Sequence, residues 1–158
     1  MDRAIVAFRE DASSDWIAEL ACGHRRHVRH NPPLSEREWV LSPEGRAAQI
    51  GSELACAACD RREIPAGYAP YRRTPVYDES TIPSGLLRDH STRRGVWARI
   101  HVTQGSLDYY VHAPFHSHER LSPMCIGIVI PEVEHHIATH GPVSFFVEFL
   151  RSDDDSPV

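Results

Sequence analysis

Val96-Trp97-Ala98-Arg99-Ile100-His101-Val102, followed by Gln104-Gly105-Ser106 and Leu107-Asp108-Tyr109-Tyr110-Val111, reads as two strands around a turn. Apolar and polar residues alternate, which is the period of a half-buried extended chain. Downstream, Ile126-Gly127-Ile128-Val129-Ile130-Pro131 is an apolar strand ended by proline. Val143-Ser144-Phe145-Phe146-Val147-Glu148-Phe149-Leu150 is a longer buried strand, and Gly85-Leu86-Leu87-Arg88 is read as a short one. Short strands between turns predict a small β-sandwich or barrel.

Working towards the N-terminus, Arg62 to Pro70 holds two prolines, a glycine and small residues, and marks a linker. It divides the chain into segments 1–66 and 67–158. The first segment opens with Ile5-Val6-Ala7-Phe8 and Trp16-Ile17-Ala18-Glu19-Leu20, a hairpin around a polar turn. Trp39-Val40-Leu41 reads as another strand. Ser42 and Pro43 provide an N-cap and first position for a short helix that Gly51 stops. The expected fold class is mainly β.

Composition narrows the function. The chain has 158 residues and a net charge of −5, and all 17 of its basic residues are arginine. Without lysine there is no Schiff-base amine and no phosphate-loop lysine. The acidic balance argues against a nucleic-acid partner. No run of 18 apolar residues occurs, so no membrane span is expected. Met1 to Arg9 lacks the apolar core of a signal peptide, and a cytoplasmic location is expected. Asp153 to Val158 reads as a solvated end.

Eleven histidines and four cysteines are the chemical signal. Cys22-x-His24 and Cys56-x-x-Cys59 lie at strand ends or turns, with spacing suited to one tetrahedral Zn2+. His27 competes with His24 for the fourth position. A segment of this size has little core, so a metal staple is physically useful. The basic run His24 to His30 reads as a solvated loop beside the metal, with phosphate binding as the alternative. Cys125, ahead of an apolar strand, reads as a buried small hydrophobe.

The stretch Gly127-x-x-x-Pro131-x-x-x-His135 resembles the second motif of the cupins, and His90 lies about where their first motif begins. Thr92 replaces the second histidine of that motif, and its glutamate is missing. A narrower resemblance rests on Arg73-Thr-Pro-Val-Tyr77, Ile82-Pro-Ser-Gly-Leu86, His90-Ser-Thr-Arg-Arg-Gly-Val-Trp97, Gly105-Ser-Leu-Asp-Tyr109, Pro131-x-x-x-His135-x-Ile137 and Phe145-Phe-Val-Glu-Phe149. These motifs are similar to the TehB/YeaR-like cupin family, linked to tellurite resistance and to nitrate or nitrosative stress. Cys22-Gly-His24-x-x-His27-x-Arg-His30-x-Pro-Pro33, Trp39-Val40, Gly45-Arg46 and Cys56-x-x-Cys59 resemble a small Cys/His domain found ahead of such cupins.

The resemblances imply a zinc-ribbon-like domain over 1–66 and a cupin-type β-barrel, a double-stranded β-helix, over 67–158. His90 and His135 are then the barrel's metal ligands for Zn2+ or Fe2+. His101 or Glu148 is the third. His112, His116 and His118 flank a proline loop, read as solvated. His136 should point away from His135.

Three functions follow as expectations. The first is a metal-binding stress protein that takes a small molecule or oxyanion. The second is an Fe(II) oxygenase or isomerase. The third is a regulatory module that senses a ligand. Homodimerisation through sheet edges or faces is expected.

Overall fold

The structure is a computed structural model that describes residues 1–28 and 37–152. Arg29, His30, Pro32 and Pro33 of the basic run and its motif, and the tail from Asp153, lie outside the described residues. The chain forms two compact units, Met1–Ala66 and Gly67–Val158, both mainly β.

In the first unit, β1 (Asp2–Glu10) and β2 (Trp16–Leu20) make the expected hairpin. Asp11 closes its turn, its carboxylate accepting from the backbone N–H groups of Ser13 and Asp15 at 2.8 and 2.9 Å. The chain continues into β3 (Arg25–His27), α1 (Pro43–Gln49), β4 (Glu53–Ala55) and the one-turn α2 (Ala57–Asp60). Strand order is β3-β2-β1-β4, with every neighbour antiparallel. Ser42 caps α1 by accepting from Gly45 N–H at 3.0 Å, with Pro43 first in the helix. Trp39 departs from expectation, since Glu38–Leu41 is a 3-10 turn. That turn buries Val40 and sets Trp39 edge-on against Phe8, with centroids 5.8 Å apart.

In the second unit, β5 (Tyr68–Arg73) and β6 (Tyr77–Asp78) both pair with β12 (Val143–Ser152). β7 (Trp97–Gly105) pairs with β12 and with β10 (Gly127–Val129). These five strands form one sheet. A second sheet has the order β11-β8-β9, from β8 (Leu107–Val111), β9 (Ser117–Leu121) and β11 (His135–Ala138). Trp97, Leu107, Tyr109, Leu121 and Phe145 are buried almost completely. Gly85 to Arg88 is a turn, not a strand. Strand β5 begins inside the residues read as a linker, and β9 takes in His118, while His112 and His116 lie in the expected loop before it. Cys125 is exposed, in the turn bridged by Ser122 and Cys125, and is no core residue.

Gly105 ends β7 at φ +70°, where an added Cβ would collide with the Pro142 carbonyl. Gly67 has φ +78° and nothing within 4 Å. Gly67→Ala should therefore cost about 1–2 kcal/mol for its backbone alone, and Gly105→Ala at least about 3 kcal/mol. Urea unfolding midpoints test this, and equal losses would remove the Pro142 collision from the account.

Candidate metal centre and ligand cavity

β2 and β4 flank β1 and both run against it, so their C-terminal ends meet at the start of β1. Beyond β2 the chain folds back at Gly23, with φ +86°. Gly23 N–H donates to Leu20 O at 2.7 Å, and Leu20 N–H donates to His24 O at 2.9 Å. This turn presents Cys22 and His24. Beyond β4, Cys56 caps α2 and Cys59 lies within it. Donor atoms of Cys22, His24, Cys56 and Cys59 all lie within 4.8 Å of one another. His24 Nδ1 is 3.4, 3.5 and 3.6 Å from the sulfurs of Cys22, Cys56 and Cys59. The three cysteines are buried.

The electrostatics suit a cation. Burial pushes His24 down, but hydrogen bonds to the Cys22 and Cys56 sulfurs outweigh it and raise it to about 9. Hydrogen bonds with Cys22 and Cys59 lower Cys56, while Cys22 and Cys56 push the Cys59 thiol up. Clustered sulfurs compete for protons, and a divalent ion relieves that competition by replacing them. The structure brings His24, and not His27, to the three cysteines. β3 runs back along β2 until His27 pairs with Ile17, roughly 15 Å along the sheet from Cys22. There His27 Nδ1 lies 3.8 Å from Asp11.

In the second unit, a cavity of about 410 Å3 is floored by Ala98 and Ile100 of β7 and by Phe145, Val147 and Phe149 of β12. His90 and His135 line it, and their backbones exchange two hydrogen bonds of 3.0 and 2.9 Å. Their rings lie 4.3 Å apart. Each Nδ1 faces a carbonyl two residues earlier, Arg88 O and Val133 O, at 2.9 Å. A carbonyl only accepts, so each Nδ1 carries the proton and Nε2 keeps the lone pair. His135 is pushed down to about 4, chiefly by burial, with the Val133 hydrogen bond opposing.

The TehB-like domain family matches residues 72–147. A protein family of unknown function, DUF3565, matches residues 6–63. The chain is 32% identical over 98 residues to the uncharacterized protein YeaR of Escherichia coli K12, covering 54% of this chain and 82% of YeaR. YeaR of Escherichia coli O157:H7 matches equally. The chain belongs to the TehB/YeaR-like family. A crystal structure of an Escherichia coli K12 protein shares 27% identity at a TM-score of 0.51, covering 57% of this chain and 96% of that one. The TehB structure from Haemophilus influenzae gives 21% identity and a TM-score of 0.52, which carries the fold alone. That match covers 57% of this chain and 33% of the Haemophilus chain.

Within the TehB/YeaR-like unit, neither candidate third ligand reaches the cavity. Val147 pairs with Ile100 and Phe149 with Ala98, all four facing in, so the alternate residues His101 and Glu148 face out. There the His101 ring stacks on Phe146, with centroids 4.7 Å apart. Glu148 receives Arg99 at 3.4 Å and lies 3.6 Å from His101 Nε2. No carboxylate lines the cavity among the described residues, whereas Arg72 and Arg93 do. His136 points away from His135, as strand alternation requires, and meets His112 and Asp89. The sequence reading missed that grouping. Only the register brings it together: His136 pairs with Tyr110, two residues before His112.

His135 yields a pH prediction. Its folded value of about 4 lies below the unfolded 6.5. The neutral ring is therefore favoured in the fold, and its contribution fades as pH falls from about 6.5 to 4. The full loss is roughly 3 kcal/mol. With chelator present, wild type should lose stability across this window, and His135→Gln should lose distinctly less. Parallel urea-unfolding curves against pH would refute the assignment.

Proposed function

We propose that this chain is a cytoplasmic metal-binding stress protein, with a zinc-stapled N-terminal domain and a cupin-type barrel that captures a small anionic ligand. The donor geometry at Cys22, His24, Cys56 and Cys59 carries the zinc assignment. Zn–S bonds of about 2.3 Å and a Zn–N bond of about 2.0 Å give tetrahedral edges of about 3.8 Å between sulfurs and 3.5 Å between sulfur and nitrogen. Cys22 and Cys56 sulfurs stand 3.9 Å apart, and the sulfur–nitrogen spacings are 3.4–3.6 Å. The set is closed by four protein ligands, the pattern of structural rather than catalytic zinc.

The barrel reading rests on the cavity's chemistry. Its charged lining is Arg72 and Arg93, its floor is apolar, and two imidazole Nε2 atoms carry lone pairs. The arginines and the apolar floor suit an oxyanion or a small anionic molecule, and the two lone pairs suit a metal ion rather than the anion itself. A Zn2+ or Fe2+ ion at His90 and His135 would present such a ligand with open positions. Membership of the TehB/YeaR-like family supports a relation of this capture to tellurite resistance. The Fe(II) oxygenase alternative needs a carboxylate with two histidines, and the outward-facing Glu148 does not supply it. The interaction-module alternative draws on Arg25, Arg26 and Arg29, of which Arg29 lies outside the described residues. Arg25 lies 4.0 Å from Glu19, and Arg26 donates to Ala55 O.

Metal analysis of the full chain tests the staple. Wild type should carry one zinc in the N-terminal site, Cys56→Ser should lose it, and His135→Ala should keep it. Zinc retained by Cys56→Ser would overturn the assignment. For the barrel, selenite or tellurite should bind wild type and weaken with salt. Arg93→Ala should lower that affinity about tenfold, the loss of one charge-assisted contact. Unchanged affinity would remove the anion reading.

A further inference from the structure

The pleat of β11 sends His135 into the cavity and His136 to the opposite face. On that outer face, Asp89 Oδ1 lies 2.7 Å from His136 Nδ1 and 2.8 Å from His112 Nε2. The two nitrogens are 3.2 Å apart. The three residues come from three places: the loop before His90, the end of β8 and strand β11. We propose that Asp89, His112 and His136 form a second metal site, separate from the barrel cavity. It takes a divalent first-row ion such as Ni2+ or Cu2+ and leaves further positions open to water or a small ligand.

The spacings fit a bound cation as well as a hydrogen-bonded trio. As N–H donors to one oxygen, the two rings would bring like-polarised hydrogens together across 3.2 Å. As lone pairs on one cation, the same spacing is an ordinary cis edge. Bonds of about 2.1 Å at right angles give edges of about 3.0 Å, and a tetrahedral ion gives about 3.4 Å. The observed edges of 2.7, 2.8 and 3.2 Å favour the octahedral or tetragonal ion. Two imidazoles and one carboxylate suit Ni2+, Cu2+ and Fe2+, and affinity rises towards Cu2+.

The ligands are also held in place. His136 stacks on Tyr110, with centroids 4.8 Å apart and an angle of 17°. Tyr110 is backed by His118 at 4.5 Å and 9°. His112 N–H donates to Glu134 O at 2.9 Å. Asp89 precedes His90, whose backbone is bonded twice to that of His135. All three donors are therefore tied to β8 and β11, and little ordering is left for the ion to impose.

The test uses the full chain with zinc already supplied, titrated with Ni2+ by calorimetry and with Cu2+ by electron paramagnetic resonance. Zinc content is followed throughout. Wild type should keep its zinc and take one equivalent more than Asp89→Asn does, and the Cu2+ spectrum of that equivalent should show coupling to two nitrogens. Asp89 is exposed, so Asp89→Asn should fold normally. It should weaken binding by more than the roughly 10- to 100-fold typical of losing an outer partner. His136→Ala should remove the two-nitrogen coupling, while His135→Ala and His140→Ala should leave the equivalent in place. Wild-type affinity in Asp89→Asn would overturn the proposal, and so would loss of the ion in His135→Ala alone, which would place it in the cavity.

Discussion

β12 and β7 pair antiparallel from Val143 opposite Gly105 to Leu150 opposite Trp97, with one irregularity between Ser144 and Phe145. The chemistry of the second unit depends on this register. Beyond the irregularity, each residue's side follows from its neighbour's, because side chains alternate. The same ladder gives one face to Ala98, Ile100, Val147 and Phe149 and the other to Arg99, His101 and Glu148. A slip of β12 by one residue would turn Glu148 towards the cavity and Val147 and Phe149 away from it. The apolar floor thus fixes the register, and the register excludes the carboxylate. β11 obeys the same rule, with adjacent histidines on different chemistries.

The first unit answers a different problem. Its sheet has four short strands, and α1 buries none of its residues. Ile5, Ala18, Leu20, Val28 and Val40 supply much of its core, with the three metal-site cysteines buried beside them. So small a core gives limited stability. The Cys/His cluster joins the turn after β2 to the turn after β4 across the start of β1. An ion there ties together segments more than thirty residues apart in sequence, and its binding energy becomes folding energy.

The sequence was legible where chemistry and spacing were local. Cys22, Cys56 and Cys59 identified themselves, as did the Ser42-Pro43 helix start and the alternation of β7 and β8. What failed depended on neighbours. Choosing between His24 and His27 required the return path of β3. Excluding His101 and Glu148 required the β7–β12 register. Strand β5 was hidden by the linker-like composition up to Pro70, since its partner β12 and not its own apolar content holds it. Strand β9 is Ser-His-Glu-Arg-Leu, an edge strand with little hydrophobic signal. The Asp89 grouping was invisible because its residues come from three separate segments.

The order of the large sheet also bears on how the chain is made. β12 lies at its centre, paired with β5, β6 and β7, yet it is the last of those strands in the chain. Ser152 pairs with Tyr68 across more than eighty residues. During synthesis β5, β6 and β7 emerge without the strand that joins them, with their ladder edges uncovered until it arrives. Such long-range pairing folds slowly and leaves its intermediates open to aggregation. The metal-binding turns of the first unit are complete by Cys59. The ribosome therefore releases a unit able to close early and then a unit whose assembly waits on its final strand.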